Sequence, residues 1–386
     1  MYSIADYGAM IADEVRMGAF VRALRQAITP GAVVIDIGTG TGIFALLACR
    51  FGASRVYAIE PDDAIQVARE MAAANGCADR IEFIQSLSTQ VTLPERADVI
   101  IADIGGVLPW FQHHLPSMAD ARRRLLKPGG VLIPQCDVAW AAVVEAPELY
   151  ARHTGPWRDN DFDFDMEAAR RLVVNTWKKG SVAPDNLLTA LQRWATTDYR
   201  VVEDPDIRAT VTWIVTRTGV GHGFAAGFDR TLVDGIYLSN APDAPDDIHP
   251  RRIYGTVFFP WPAPVRLAAG DVITIDLEAR LVRDEYIWNW KTAVLEQGRA
   301  GASKAAFAQS TFLGAPLSPL TLEKQAASYQ PTLNEDGRIA RSVLASMNDG
   351  VSVGEIARRI STEFPARFRR APDALSRVAE LSRRYG

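Results

Sequence analysis

Apolar positions recur at helical spacing over residues 3–28, and the pattern stops at Thr29-Pro30-Gly31, a turn-forming triplet. Short apolar runs then alternate with amphipathic stretches. VVIDIG (33–38) predicts a strand, IFALLACRFGA a helix, RVYAIE (55–60) a second strand and residues 62–75 a second helix. IEFIQ (81–85) and ADVIIADI (97–104) predict two more strands, and ADARRRLLKPGGVLIP (119–134) a helix, a tight turn and a fifth strand. Strands interleaved with helices at this spacing imply a parallel, doubly wound α/β sheet, a Rossmann-like domain over residues 1–134.

After Pro134 the period changes. Residues 135–148 and 198–295 are rich in Val, Thr, Trp and Tyr, with period-two stretches such as ATVTWIVTRTG and DVITIDLEARLV. They predict an antiparallel β-barrel domain over 135–297. Within it, MEAARRLVVNTWKKG and NLLTALQRWA carry helical spacing and predict a helical arm at about 155–197. Residues 298–333, rich in Gly, Ala, Ser and Pro, predict a linker, and residues 334–386 a small domain of three short helices.

Length and composition fit this partition. At 386 residues, with 48% hydrophobic and 23% charged, the chain has room for two or three domains and excludes disorder and collagen-like repeats. There is no run of ~18 apolar residues to cross a membrane. The N-terminal MYSIADYGAMIADEVR carries acids early and lacks a basic-then-apolar signal pattern. Three scattered cysteines (Cys49, Cys77, Cys136) make neither a disulfide framework nor a CxxC zinc site, and the five histidines contain no HExxH pair. A cytoplasmic protein without a metal is expected. The net charge of −4 argues against nucleic acid as a partner. It is unevenly spread: residues 331–386 hold ten Arg and no Lys against seven acids, a balance of +3 that leaves −7 on the rest. That asymmetry marks the tail as a separate module.

Candidate chemistry begins at Asp36-Ile37-Gly38-Thr39-Gly40-Thr41-Gly42, between the first strand and its helix. Glycines there let a ligand approach the backbone. A GxGxG alone also suits nicotinamide enzymes, but Asp36, two residues before Gly38, could receive the cationic aminoacid end of S-adenosylmethionine. A dinucleotide site wants no charge beside the pyrophosphate. Glu60, followed by Pro61 at the end of the second strand, is placed for the ribose hydroxyls in either case. LLKPGGVLIP before the fifth strand resembles a turn of class I methyltransferases. Cofactor candidates are therefore Asp36, Gly38, Thr39, Gly40, Glu60, Pro61 and, after the third strand, Ser88.

With the N-terminal helix included, the chain resembles the protein arginine methyltransferases over roughly residues 4–295. The family's M-x-x-D-x-x-R stands here as Met10, Asp13 and Arg16, and the resemblance implies that Arg16 pairs with the cofactor carboxylate. A β-barrel interrupted by a helical dimerisation arm matches the predicted second domain. GIYLSNAP (235–242) looks like the family's GFSTSP segment, TVFF (256–259) and GDVITIDLEARL like later barrel strands, and YIWNW (286–290) like bacterial members. The resemblance implies S-adenosylmethionine as cofactor and a homodimer.

The departures concern the acceptor. The family clamps a substrate guanidinium between two glutamates nine residues apart; here Asp103 and Gln112 stand at that spacing, in Asp-Ile-Gly-Gly-Val-Leu-Pro-Trp-Phe-Gln. Asp103 is one methylene shorter, and the Gln112 amide turns donors toward a group that has only donors. Loss of one charged partner of a desolvated pair costs ~2–5 kcal/mol. The family's His-Trp pair before TVF is replaced by Arg252 and Ile253, and its acids after strand three by Ser88, Thr89 and Gln90. Asp103 and Gln112 are the expected catalytic pair, with Met10, Gly105, Trp110 and His113 around the substrate. The pair suits a hydroxyl, an amide or a neutral amine on a peptide or small-molecule acceptor. Arginine methylation with an altered clamp, and a catalytically silent cofactor-binding partner, are the rival readings.

The tail, MNDGVSVGEIARRI followed by a second amphipathic helix, resembles small winged-helix-like domains that bind leader peptides; a plain helical cap is the alternative. Asp161, Asp163 and Asp165, alternating with Phe162 and Phe164, lack a calcium loop's glycine and distal Glu, and read as a solvated edge whose phenylalanines anchor the arm. Leu172, Val173, Trp177, Leu187, Leu188 and Leu191 would form apolar faces that need cover from a second copy. Trp288 and Trp290, two apart, share one strand face and fit core packing.

Overall fold

The computed structural model describes residues 2–159, 162–250, 253–298 and 303–386. Two compact units divide the chain at Pro316/Leu317. The first opens with α1 (Ile4–Ile11) and α2 (Glu14–Ala27), then runs β1 (Val33–Ile37), α3 (Ile43–Arg50), β2 (Arg55–Ile59), α4 (Ala64–Ala74), β3 (Ile81–Ile84), β4 (Ala97–Ala102), α5 (His114–Arg124) and β5 (Leu126–Ile133). The periodic segment 3–28 is two helices rather than one. Asp13 leaves helical geometry and its carboxylate accepts the Arg16 amide, so the aspartate of M-x-x-D-x-x-R caps the helix that carries the arginine.

The five strands form a parallel sheet in the order β3-β2-β1-β4-β5. Chain direction across the sheet reverses between β1 and β4, so the loops after these two strands diverge and open a crevice at their C-terminal ends. Asp36 in β1, Glu60 just after β2 and Asp103 just after β4 therefore gather at one edge of adjacent strands.

The antiparallel part follows with β6 (Cys136–Val144), α6 (Pro147–Thr154), α7 (Glu167–Val173), β7 (Lys178–Gly180), β8 (Gln192–Asp198), β9 (Ile207–Ile214), β10 (Gly219–Val233), β11 (Ile236–Ser239), β12 (Thr256–Leu267), β13 (Val272–Val282), β14 (Glu285–Leu295) and β15 (Ser303–Ser310). It is built as two sheets, β7-β12-β10-β6-β8 with β11 on β10, and β15-β14-β13-β9. Trp213, Phe224, Phe259, Trp261, Trp288 and Trp290 fill the core they share with one face of the parallel sheet, so both tryptophans of YIWNW pack inward.

Three expectations are corrected. NLLTALQRWA is not helical: Leu188 exchanges backbone bonds with Val143 and Thr216, and the chain from Gln192 pairs with β6 as β8. Edge pairing with β6 outweighs the helical spacing of its leucines, and Leu188 is buried in the core rather than left on an arm. Among the described residues of the predicted arm the α-helix is thus α7 alone, with α6 just ahead of it, and Lys178–Gly180 at the end of the first helical stretch pairs with β12 as β7. The segment 298–333 is not all linker, because β15 extends the second sheet and Gln309 bonds the Trp290 indole and the Pro260 carbonyl. Phe162 and Phe164, expected to anchor the arm, are exposed, while Asp161 lies outside the described residues.

The second unit contains α8 (Pro319–Gln325), α9 (Glu335–Asn348), α10 (Val353–Glu363) and α11 (Ala371–Tyr385). Ile339, Val343, Ile356, Ile360, Val378 and Leu381 make its own core. No strand occurs among its described residues, so the wing of a winged helix is not present there.

Candidate active site

The glycine loop leaves β1 with Gly38 at φ +72° and Gly40 at φ +53°. A Cβ on Gly38 would come within 2.4 Å of Ile104 Cγ2, and one on Gly40 within 2.3 Å of Tyr7 Cε1. Both positions therefore need glycine for space as well as for backbone angle. Tyr7 places α1 as a cover over the loop. Glu60 Oε2 accepts the Gly40 amide at 3.0 Å and Oε1 accepts the Asp62 amide at 3.0 Å, which fixes the loop against the end of β2. Thr39 is buried, and its hydroxyl donates to Asp36 Oδ2 at 2.5 Å; the Ala45 amide donates to the same oxygen at 3.0 Å. Ser88 is buried with its carbonyl on Arg124, and Pro61 is exposed.

Asp36 Oδ1 is buried and has no partner. Burial pushes the carboxyl up to about 7, in spite of the Thr39 and Ala45 bonds that oppose the shift. A carboxylate left half satisfied beside a glycine cradle fits a ligand that brings a cationic group, and S-adenosylmethionine does so through its ammonium. The donor set suits that cofactor: Glu60 for ribose hydroxyls, Asp36 for the ammonium, and the tight backbone at Gly38 and Gly40 between them.

The acceptor side is a buried ionic network that the sequence reading did not foresee. Asp103 Oδ2 lies 2.6 Å from Arg16 Nη2 and 3.0 Å from Arg16 Nε, and Oδ1 lies 3.1 Å from Arg230 Nη1. The Tyr254 hydroxyl is within 2.7 and 2.8 Å of both oxygens. Burial alone would raise the Asp103 pKa, but Arg16, Arg230 and the Tyr254 hydroxyl outweigh it and hold the group below its ordinary value. Arg16 also donates to the Met10 carbonyl at 3.2 Å, so Met10 meets the site through its backbone.

Arg230, on β10, is completely enclosed. Its Nε and Nη2 bind the two oxygens of Asp137, each at 2.8 Å, and its guanidinium carbon lies 4.5 Å from the Phe228 ring centroid. The Tyr199 hydroxyl donates to Asp137 Oδ2 at 2.7 Å and stands 2.9 Å from His114 Nε2. Since that hydroxyl has one proton and gives it to Asp137, it accepts from His114 Nε2–H. Burial and the nearby Arg230 push His114 down to about 4, so the ring is neutral. Arg230, Asp137, Tyr199 and Tyr254 escaped the sequence reading, and of the two adjacent histidines His113 rather than His114 was expected at the substrate. The one signal was an arginine inside the apolar run GFAAGFDRTL.

The remaining expected residues are dispersed. Gln112 is exposed, at φ +44°, while the Asp103 side chain is nearly enclosed. His113 is half-exposed and bonds Asp284 at 2.8 Å, away from the network; the buried histidine is its neighbour. Trp110 packs into the core, stacked on Trp194 at 5.0 Å. Gly105 runs over the network: a Cβ there would lie 3.0 Å from His114 Nε2 and 3.2 Å from Arg230 Nη2. Ile253 is described, but Arg252 lies outside the described residues. No metal-binding cluster and no helix long and apolar enough to cross a membrane occurs among the described residues.

Fold and cradle together define the class: a class I S-adenosylmethionine-dependent methyltransferase fold, in the two-part form of the protein arginine methyltransferases. The family model for ribosomal protein L11 methyltransferase (PrmA) matches residues 19–135. The chain is 30% identical over 229 residues to the probable protein arginine N-methyltransferase 6 of Arabidopsis thaliana, a match covering 57% of this chain and 52% of that protein. It is 28% identical to protein arginine N-methyltransferase 6 of Xenopus tropicalis, covering 60% and 72%. The chain thus spans about half the length of the Arabidopsis relative. Among solved structures, Arabidopsis thaliana protein arginine methyltransferase 10 superposes with a TM-score of 0.69 at 21% identity, over 80% of this chain and 97% of that one. The Trypanosoma brucei PRMT1 enzyme–prozyme heterotetrameric complex with AdoHcy gives 0.69 at 20%, over 79% and 97%.

Proposed function

We propose that this protein is an S-adenosylmethionine-dependent methyltransferase that acts on a neutral nucleophile, a hydroxyl, amide or unprotonated amine, of a peptide or natural-product acceptor. The observation that carries the reading is the unpartnered Asp36 Oδ1 beside a glycine loop whose Gly40 amide is held by Glu60. Asp36, Glu60 and the backbone at Gly38 and Gly40 would hold S-adenosylmethionine, whose sulfonium would serve as the methyl donor to the acceptor. In-line transfer needs the nucleophile held ~3–3.5 Å from the methyl carbon, aligned and shielded from water. The chain's contribution is this positioning. Asp36 and Glu60 hold the two ends of the cofactor, and Gly38 and Gly40 bring it against the backbone. Asp103 keeps Arg16 pointed at the site, where it is available for the cofactor carboxylate.

Arginine N-methylation is the second reading, supported by the names of the relatives. Against it stand the exposed, neutral Gln112 and an Asp103 already bound by two guanidinium groups. We further propose a cytoplasmic homodimer and a peptide-binding role for the helical second unit, whose arginine-rich composition supports an acidic peptide. The test is calorimetry with S-adenosylhomocysteine and NADH: micromolar or tighter binding of the first is expected, and tight binding of NADH instead would overturn the proposal.

A further inference from the structure

We propose that Arg230 is a specificity-determining residue. It holds a guanidinium of this chain against Asp103, where a cationic acceptor would otherwise pair, and so confines the methyl acceptor to uncharged nucleophiles. The inference rests on the methyltransferase reading above and names the group that selects its substrate.

The argument starts from charge. The buried network contains two cations, Arg16 and Arg230, and two anions, Asp103 and Asp137. Tyr254 and Tyr199 are held protonated, by burial first and then by Asp103 and Asp137 respectively, and His114 is neutral. The network is therefore balanced as it stands. A guanidinium brought to Asp103 would find no uncompensated carboxylate and would meet Arg230 as a like charge in a site closed to water. Burying an unpaired charge is strongly unfavourable, and repulsion of this kind is how sites exclude a competing ligand.

Geometry makes the exclusion permanent. Arg230 is clamped on Asp137 through two parallel bonds of 2.8 Å, and Asp137 is in turn held by the Tyr199 hydroxyl. The Phe228 ring lies 4.5 Å from the guanidinium carbon, and Gly105 runs so close that a Cβ there would lie 3.2 Å from Arg230 Nη2. A bidentate pair with both partners buried has no room to swing out for a substrate. Arg230 behaves as a fixed internal occupant of the clamp.

The experiment titrates the full chain, with S-adenosylhomocysteine present, with L-arginine and with a glycine- and arginine-rich peptide. Wild type is compared with Arg230→Lys, Arg230→Gln and Arg230→Leu/Asp137→Asn. Wild type and Arg230→Lys should show no arginine binding up to on the order of 10 mM. The double variant removes the cation without stranding Asp137, and should gain at least about tenfold in affinity for the peptide, the equivalent of ~1.4 kcal/mol. Circular dichroism checks its folding. Arg230→Gln, which keeps a donor for Asp137, should gain likewise and decides the matter if the double variant does not fold. Arginine binding by wild type equal to that of the variants, or a folded variant with no gain, would overturn the inference. Failure of wild type to bind S-adenosylhomocysteine would overturn the methyltransferase reading instead.

Discussion

Arg16 and Asp103, 87 residues apart, meet at 2.6 Å at the end of the parallel sheet, with the side chains of both almost wholly enclosed. The contact joins the helix ahead of the sheet to the loop after β4, and through Arg230 it reaches the antiparallel half of the unit. Asp103 is thus the counter-ion of two buried cations before any acceptor arrives. Removing it strands Arg16, while Arg230 keeps Asp137. Breaking one partner out of a buried pair costs ~3–5 kcal/mol. Asp103→Ala is expected to lose stability of that order in urea unfolding; a loss under ~1 kcal/mol would show that the network is not a structural keystone.

Glu60 has a different kind of task. Both its oxygens accept backbone amides, from Gly40 and Asp62, so it shapes the glycine loop as well as facing the ribose position. Hydrogen bonds to a charged group are worth ~1.5–3 kcal/mol. Glu60→Ala is expected to weaken S-adenosylhomocysteine binding about 10- to 100-fold by calorimetry. An unchanged affinity would remove Glu60 from the cofactor site.

The parallel half was legible because each strand and helix is short, apolar in its own period and punctuated by Gly or Pro, so local pattern and tertiary placement agree. They disagree at Leu187, Leu188 and Leu191. Their helical spacing is real, yet the free edge of β6 offers the segment unpaired backbone groups, and the Val143 amide donates to the Thr189 hydroxyl oxygen. The Gly38–Gly40 cradle and Glu60 were readable because they lie within single loops next to predicted strands. The Arg230–Asp137 pair was not, because it joins β10 to β6 across 93 residues of chain and neither residue belongs to a motif. His113 drew attention as the first of two histidines, but helical direction at the start of α5 buries His114 and leaves His113 in solvent.

His114 makes the network acid-sensitive. Its folded value is depressed to about 4 from an ordinary 6.5. Its contribution is therefore present above pH 6.5 and is lost as pH falls toward 4, because the unfolded chain takes up the proton first. His114→Met lacks this term. The stability difference between wild type and His114→Met should shrink, by up to about 3 kcal/mol, between pH 7 and pH 4 in denaturant titrations. A constant difference would mean that the ring is charged in the folded protein.

The second unit, Leu317–Gly386, has its own hydrophobic core, and the cofactor residues all lie before it. A chain ending at Pro316 keeps β15 and every element of the two sheets. It is expected to bind S-adenosylhomocysteine within about twofold of the full chain, as separately cored domains generally permit. Ending the chain at 298, the start of the segment first read as linker, would instead strip β15 from β14 and remove the Gln309 bonds, and should lower the melting temperature markedly.

Asp36 links cofactor binding to pH. Burial holds its carboxyl at about 7, above the ordinary 3.8, so the folded protein keeps a proton there that the unfolded chain has lost. The sign follows: the stability contribution is full below pH 4, and is lost as pH rises through 7. A ligand ammonium against Oδ1 reverses the preference, because an opposite charge favours the ionised carboxylate. Binding must then expel the proton, and affinity must rise with pH until the free group is ionised. Between pH 8 and pH 6, one unit below the free value, S-adenosylhomocysteine binding should weaken by about tenfold. Calorimetry in two buffers of different ionisation enthalpy should also register close to one proton released per ligand at pH 6. Asp36→Asn should flatten the profile while binding weakly at every pH. If wild type is as flat as Asp36→Asn, the ammonium does not meet Asp36, and the unpartnered oxygen belongs to packing alone.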